Sequence, residues 1–142
     1  MAIEVRVKRL QVIQWWNYLE NLRGAKVGRQ FAYGAAKCKT MLKDEVDAMS
    51  EAIRHIPGYV EYEQKRNAVV VRHAGVEVDG DVQRELAALV EEYRDAVEEY
   101  ERFINEEVSV SLYGINVQYL PSEITVGEME LMMPFLVEGD DG

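Results

Sequence analysis

The feature that most limits what this chain can become is a pair of long segments whose apolar residues recur at intervals of three and four. The first passes through Phe31, Ala35, Cys38, Leu42, Met49 and Ile53. The second passes through Val82, Leu86, Leu89, Tyr93, Val97, Tyr100 and Ile104. On a helix such spacing draws one apolar stripe along one side, and the stripe is stable only when packed against a partner. Two stripes of this kind predict a helical scaffold with binding surfaces. They name no reaction.

The segments around the stripes follow from local pattern and punctuation. Ile3, Val5 and Val7 alternate with Glu4, Arg6 and Lys8, the period of a half-buried strand. Leu10, Ile13, Trp16, Leu19 and Leu22 then recur every three residues, a short helix ending near Gly24. Gly24 and Gly28 bracket a turn, and the first long helix runs from Arg29 to about His55, with Pro57-Gly58 as its stop. Residues 59–73 read as a third helix, although Val69, Val70 and Val71 also suit a strand. The loop GVEVDGD places Asp81 as N-cap of the second long helix, Val82 to about Asn105. Val108, Val110 and Leu112 alternate with polar neighbours as a second strand. Ile115, Val117 and Tyr119 continue it past Gly114, and Pro121 stops it. Thr125 and Glu128 have the spacing of a capping box opening a last helix, Val126 to Met133. The tail, residues 137–142, is expected to fray.

The two strand segments lie at opposite ends of the chain and neither is stable alone, so they are expected to pair with each other. The expected fold is mainly α (α+β). A hairpin or bundle of two long helices with shorter ones is clipped by a small two- or three-stranded sheet joining the N- and C-terminal strands. At 142 residues this is one domain, 1–142.

Composition narrows the setting. Apolar residues at 48% and charged residues at 30% are those of an ordinary globular protein. No stretch approaches the roughly 20 apolar residues that span a bilayer, and MAIEVRVKRLQVIQWW lacks the core and cleavage site of a secretory signal. No membrane association is expected, and a cytoplasmic location follows by default. The single Cys38 has no disulfide partner, and its place in an apolar stripe suits a buried hydrophobe better than a nucleophile.

Net charge is −10 but unevenly spread. Residues 1–40 hold eight Lys/Arg against Glu4 and Glu20, a balance of +6, and the remainder stands at −16. One reading packs the basic segment beside the acidic second long helix. The other offers an acidic face to a basic partner, where complementary charge speeds and selects association. Nucleic acid is disfavoured, because phosphate contacts need a concentrated cationic face.

Groups that carry chemistry are sparse. His55 and His73 are too few and too separated for a zinc site, with no Cys beside them. No phosphate-binding Gly-rich loop follows Gly24 or Gly28, and no nucleophile elbow is present. Only carboxylates are dense enough to suggest a metal. Asp44 and Asp47 lie one turn apart on one long helix, Glu92 and Asp95 on the other, and on antiparallel neighbours they would meet around Mg²⁺. That arrangement resembles the all-α nucleotide pyrophosphatases, except that Ala48 stands where their first motif carries a further acid. A solvated acidic face explains the same residues, so no metal, cofactor or catalytic residue is assigned. Trp15 and Trp16 point about 100° apart on a helix, so either one lies in the core and the other is a contact candidate, or both are tucked under the sheet. Met129, Met132 and Met133 form a soft apolar surface, read as core.

FAYGAAK (31–37) leading into MLKDEVDAM, EYEQKR (61–66), and EEVSVSLYGI followed by LPSEITVGEMELMMPFL carry a further resemblance. In element order the chain resembles a family of small phage- and prophage-encoded proteins of unknown function. From residue 69 to 81 it departs into VVVRHAGVEVDGD. The resemblance implies a phage setting, the host cytoplasm and a non-enzymatic role, and brings no catalytic residues. The expected activity is binding to another protein, as an assembly factor or a modulator of a host enzyme. Glu91, Glu92, Asp95, Glu98 and Glu99, with Trp15 or Trp16, are the expected contacts. The alternatives are an Mg²⁺-dependent nucleotide hydrolase or a homo-oligomer assembled through the helix stripes.

Overall fold

A computed structural model describes residues 2–23, 26–74 and 80–138. The chain is mainly helical with a small sheet. Strand β1 (Ala2–Lys8) leads into α1 (Arg9–Asn21), followed by α2 (Arg29–Arg54), α3 (Tyr59–Arg72), α4 (Gly80–Glu92) and α5 (Arg94–Asn105). Strands β2 (Glu107–Tyr113) and β3 (Ile115–Asn116), helix α6 (Val126–Met132) and strand β4 (Leu136–Val137) complete it. Packing gathers these elements into two compact units, Met1–Ala48 with Glu106–Gly142, and Met49–Asn105.

The first unit is built on the expected pairing of the two strands. β1 and β2 run antiparallel from Ala2↔Tyr113 to Lys8↔Glu107. The period-two pattern places Ile3, Val5 and Val7 on the half-buried side of β1, opposite Leu112, Val110 and Val108. Past Gly114 the chain does not continue as one long strand. β3 pairs in parallel with β4 through Ile115↔Leu136 and Asn116↔Val137, and Val117–Tyr119 form a 3-10 turn. There the Asn116 side chain accepts the Gln118 N–H at 3.0 Å, a local bond that competes with strand geometry.

The buried face of α1 is Val12, Trp15 and Leu19, not the Leu10–Ile13–Trp16 row read from the sequence. Both rows have helical spacing, and burial follows the one that meets Phe135 and α6. Trp15 is fully buried, its ring edge-on to Phe135 at 5.9 Å, and its indole N–H donates to the Leu131 carbonyl at 2.8 Å. From α2, Phe31, Ala35, Cys38 and Leu42 enter this core as the stripe predicts. The Cys38 thiol donates to the Tyr113 carbonyl at 3.2 Å. Gly34 lets α2 close on β3, since a Cβ there would stand 2.7 Å from Ile115 Cγ1. Of the three methionines, Met132 is buried and Met133 is exposed.

The second unit has an aromatic core. Ile56, Tyr59, Tyr62 and Ala96 are buried, with Ile53, Leu89, Tyr93, Val97 and Tyr100 packed against them. Tyr59 stacks on Tyr100 with centroids 4.4 Å apart, and Tyr62 lies 5.7 Å from Tyr59 and 6.0 Å from Tyr93. Residues 59–72 are helical, which resolves the helix–strand ambiguity of the valine run. Gly58 precedes that helix at φ +82°, a left-handed conformation that other residues adopt at a cost.

The helix expected from Val82 to Asn105 is interrupted once, at Tyr93. The interruption is local, because Tyr93 N–H still bonds Leu89 and Val97 N–H still bonds Tyr93, both at 3.0 Å. No Gly or Pro marks the position and the apolar spacing runs across it unbroken, so the sequence reads as one helix. Asp81 lies inside the first turn of α4 rather than capping it, and its carboxylate meets Arg84 at 2.8 Å. Of the tail expected to fray, Val137 is instead held by pairing with Asn116. Residues 139–142, the remainder of that expected loop, 75–79, and the turn at Gly24 lie outside the described residues.

Candidate functional site

Helices α4 and α5 bury one apolar stripe and leave their polar residues outside. Residues 91–101 hold six carboxylates, with Arg94 the one Lys or Arg among them. Glu91, Glu92, Asp95, Glu98 and Glu99, the contacts expected from the sequence, are all exposed. Glu91 pairs with Arg94, and Glu92 lies 3.7 Å from Lys65 Nζ, whose ammonium also sits 5.0 Å from the centre of the Tyr93 ring. Glu91, Glu92, Arg94 and Asp95 border a shallow depression of about 350 Å³ with Pro57 on its rim. The second unit as a whole carries 13 Asp/Glu against seven Lys/Arg. A surface of this kind presents a negative potential over several turns of helix. Its pairs are exposed and individually weak, so they add little to stability.

The two tryptophans differ in burial, and it is Trp15, outside the row read from the sequence, that is enclosed. Trp15 belongs to the core and presents no surface. Trp16 is half-buried, with Lys39 Nζ 5.3 Å from its ring centre. Lys39 also pairs with Glu20 at 2.7 Å. Other cations of the basic N-terminal segment pair inside the first unit. Arg6 meets Glu107 at 2.8 Å, and Arg9 lies 3.9 Å from Glu45 and 3.4 Å from Glu106.

The four carboxylates of the Mg²⁺ reading fall two to each unit. Asp47 binds Lys43 at 2.7 Å. Among the described residues, no group of three or more His, Cys, Asp or Glu side chains stands close enough to hold a metal ion. Cys38 is enclosed, and burial pushes its thiol up to about 11, so at neutral pH it is a protonated, inert side chain.

Sequence reasoning missed a second concavity, in the first unit, where the start of α2 faces the β2–β3 junction. It has a volume of about 440 Å³, and Arg29, Tyr33, Tyr113 and Tyr119 line it. A visible signal was the aromatic content of the two segments, FAYGAAK and SLYGINVQY. No spacing rule brings residues 33 and 113 together, because that depends on which face of α2 packs on the sheet.

No helix among the described residues is long and apolar enough to cross a membrane. No family model, no curated protein and no solved structure matches the chain.

Proposed function

We propose that this chain is a binding protein that engages a basic surface of another protein through the carboxylates of α4 and α5. The observation that carries the reading is the run of six carboxylates within residues 91–101, the five expected contacts exposed and Arg94 the lone interspersed cation. Such a face raises encounter rates with a cationic partner and rejects anionic ones, nucleic acid included. The sequence resemblance supports a partner in a phage-infected or prophage-bearing host, with the chain acting as an assembly factor or as a modulator of a host enzyme.

The test combines capture with charge reversal. Tagged protein recovers a stoichiometric partner at low salt and loses it at high salt, because exposed charge pairs are screened. The triple variant Glu91→Lys, Glu98→Lys, Glu99→Lys keeps its helical circular dichroism and weakens that partner at least about tenfold, mostly through association rate. Undiminished binding by the variant overturns the reading. Self-association of the wild type that the variant abolishes would make a second copy of this chain the partner.

A further inference from the structure

We infer that the cleft between the start of α2 and the β2–β3 junction is a binding site for a small planar aromatic acid. Its walls have a consistent chemistry. Tyr33 and Tyr113 stand at 85° to one another with centroids 5.8 Å apart, forming an aromatic corner. Tyr119 and Ile115 extend that apolar wall. A planar ring entering such a corner stacks on one tyrosine and meets the edge of the other, the two arrangements that ring quadrupoles favour. Gly34 forms the seam. Its missing Cβ lets α2 approach to where a methyl group would strike Ile115, so the α2 backbone lies directly against the Ile115 side chain behind the corner.

Charge sets the rest of the ligand. Among the described residues that line the cleft, Arg29 is the only charged one, in a chain where Asp and Glu outnumber Lys and Arg by 26 to 16. A second cation stands close by, with Lys37 Nζ 5.7 Å from the centre of the Tyr33 ring. A guanidinium at the rim of an apolar cleft recognises a carboxylate or phosphate through paired hydrogen bonds. The volume of about 440 Å³ lies near the lower end of ligand pockets, which run from roughly 300 to 1,000 Å³, and suits one or two fused rings. This site lies within the first unit and shares no residue with the acidic face, so either reading stands or falls without the other.

The probe is 2-naphthoate, titrated into the full-length protein while backbone amide resonances are followed by NMR. 2-Naphthamide serves as its uncharged counterpart and acetate as the ring-less anion. The expected result is saturable binding of 2-naphthoate at sub-millimolar concentration, with the largest shifts at Gly34 and Gly114. The amide binds at least about tenfold more weakly, and acetate gives no saturable shift. Arg29→Gln removes the preference for the acid over the amide. Tyr33→Ala weakens both aromatic probes while leaving the fold intact, since Tyr33 is 56% exposed. Tyr119→Ala, at a residue 40% exposed, repeats that test independently. Absence of saturation, shifts centred elsewhere, or equal affinity for acid and amide overturns the inference.

Discussion

Burial sets the chemistry of Cys38. Its sulfur is inaccessible and bonded to the Tyr113 carbonyl, and desolvation pushes the thiol from 9.0 to about 11. A raised acid holds its proton in the folded state, so its contribution to stability is complete below about pH 9 and lost as pH rises towards 11. A rise of that size corresponds to on the order of 2–3 kcal/mol. Tyr18, pushed up to about 12 by burial and then by the Glu128 carboxylate, acts in the same direction at higher pH. Urea denaturation at pH 8 and pH 11 should therefore show a steep loss for the wild type. Cys38→Ala, weaker by about 1 kcal/mol at pH 8 for the lost sulfur contacts, should show a shallower one. Parallel losses would contradict this account. The same scale shows what single residues conceal: Trp15 and Trp16 are identical in composition and adjacent in sequence. Their difference arises from Phe135 and the Leu131 carbonyl, more than a hundred residues away.

Among the elements, those governed by local chemistry were legible. The Thr125–Glu128 box is closed in both directions, with Glu128 N–H donating to Thr125 Oγ1 at 3.1 Å and Thr125 N–H to Glu128 Oε1 at 3.3 Å. Thr125→Ala should cost about 1 kcal/mol and lower the melting temperature by roughly 2–4 °C, with Thr125→Ser close to wild type. An unchanged Thr125→Ala protein would mean that packing of Met132 alone sets the start of α6. The α2 stripe was legible because every member from Phe31 to Met49 enters a core. The β1–β2 partnership followed because each strand alone is unstable. The break at Tyr93 was not legible, since it leaves the apolar period untouched. Neither was the turn after Gly114, where the Asn116 side chain competes for backbone bonds that alternation alone assigned to a strand. The acidic face was read from sequence because exposure follows from the opposite stripe. The aromatic cleft required knowledge of which helix face meets the sheet.

At the scale of the whole molecule, each unit has a core of its own. Tyr59 is central to one, buried against Tyr62 and Tyr100, with its hydroxyl pushed up by burial and by the nearby Tyr100 and Glu63. Tyr59→Ala should destabilise by about 3–5 kcal/mol, as truncation of a buried aromatic does. Hydrogen exchange should then accelerate first across Met49–Asn105, with the β1–β2 amides of Val5 and Val110 following at a higher opening energy. Uniform acceleration across the chain would refute that order. The antiparallel ribbon has one more consequence, in the order of synthesis. β1 is translated ahead of its partner β2, which emerges about a hundred residues later. At roughly 5–20 residues per second, the nascent strand waits several seconds with its hydrogen-bonding edge and its Ile3–Val5–Val7 side uncovered. Residues 49–105, contiguous in sequence, emerge within that interval and hold all the partners of their aromatic core. β1 therefore stays unpaired longer than any helix it precedes, with an open strand edge for the whole of that interval.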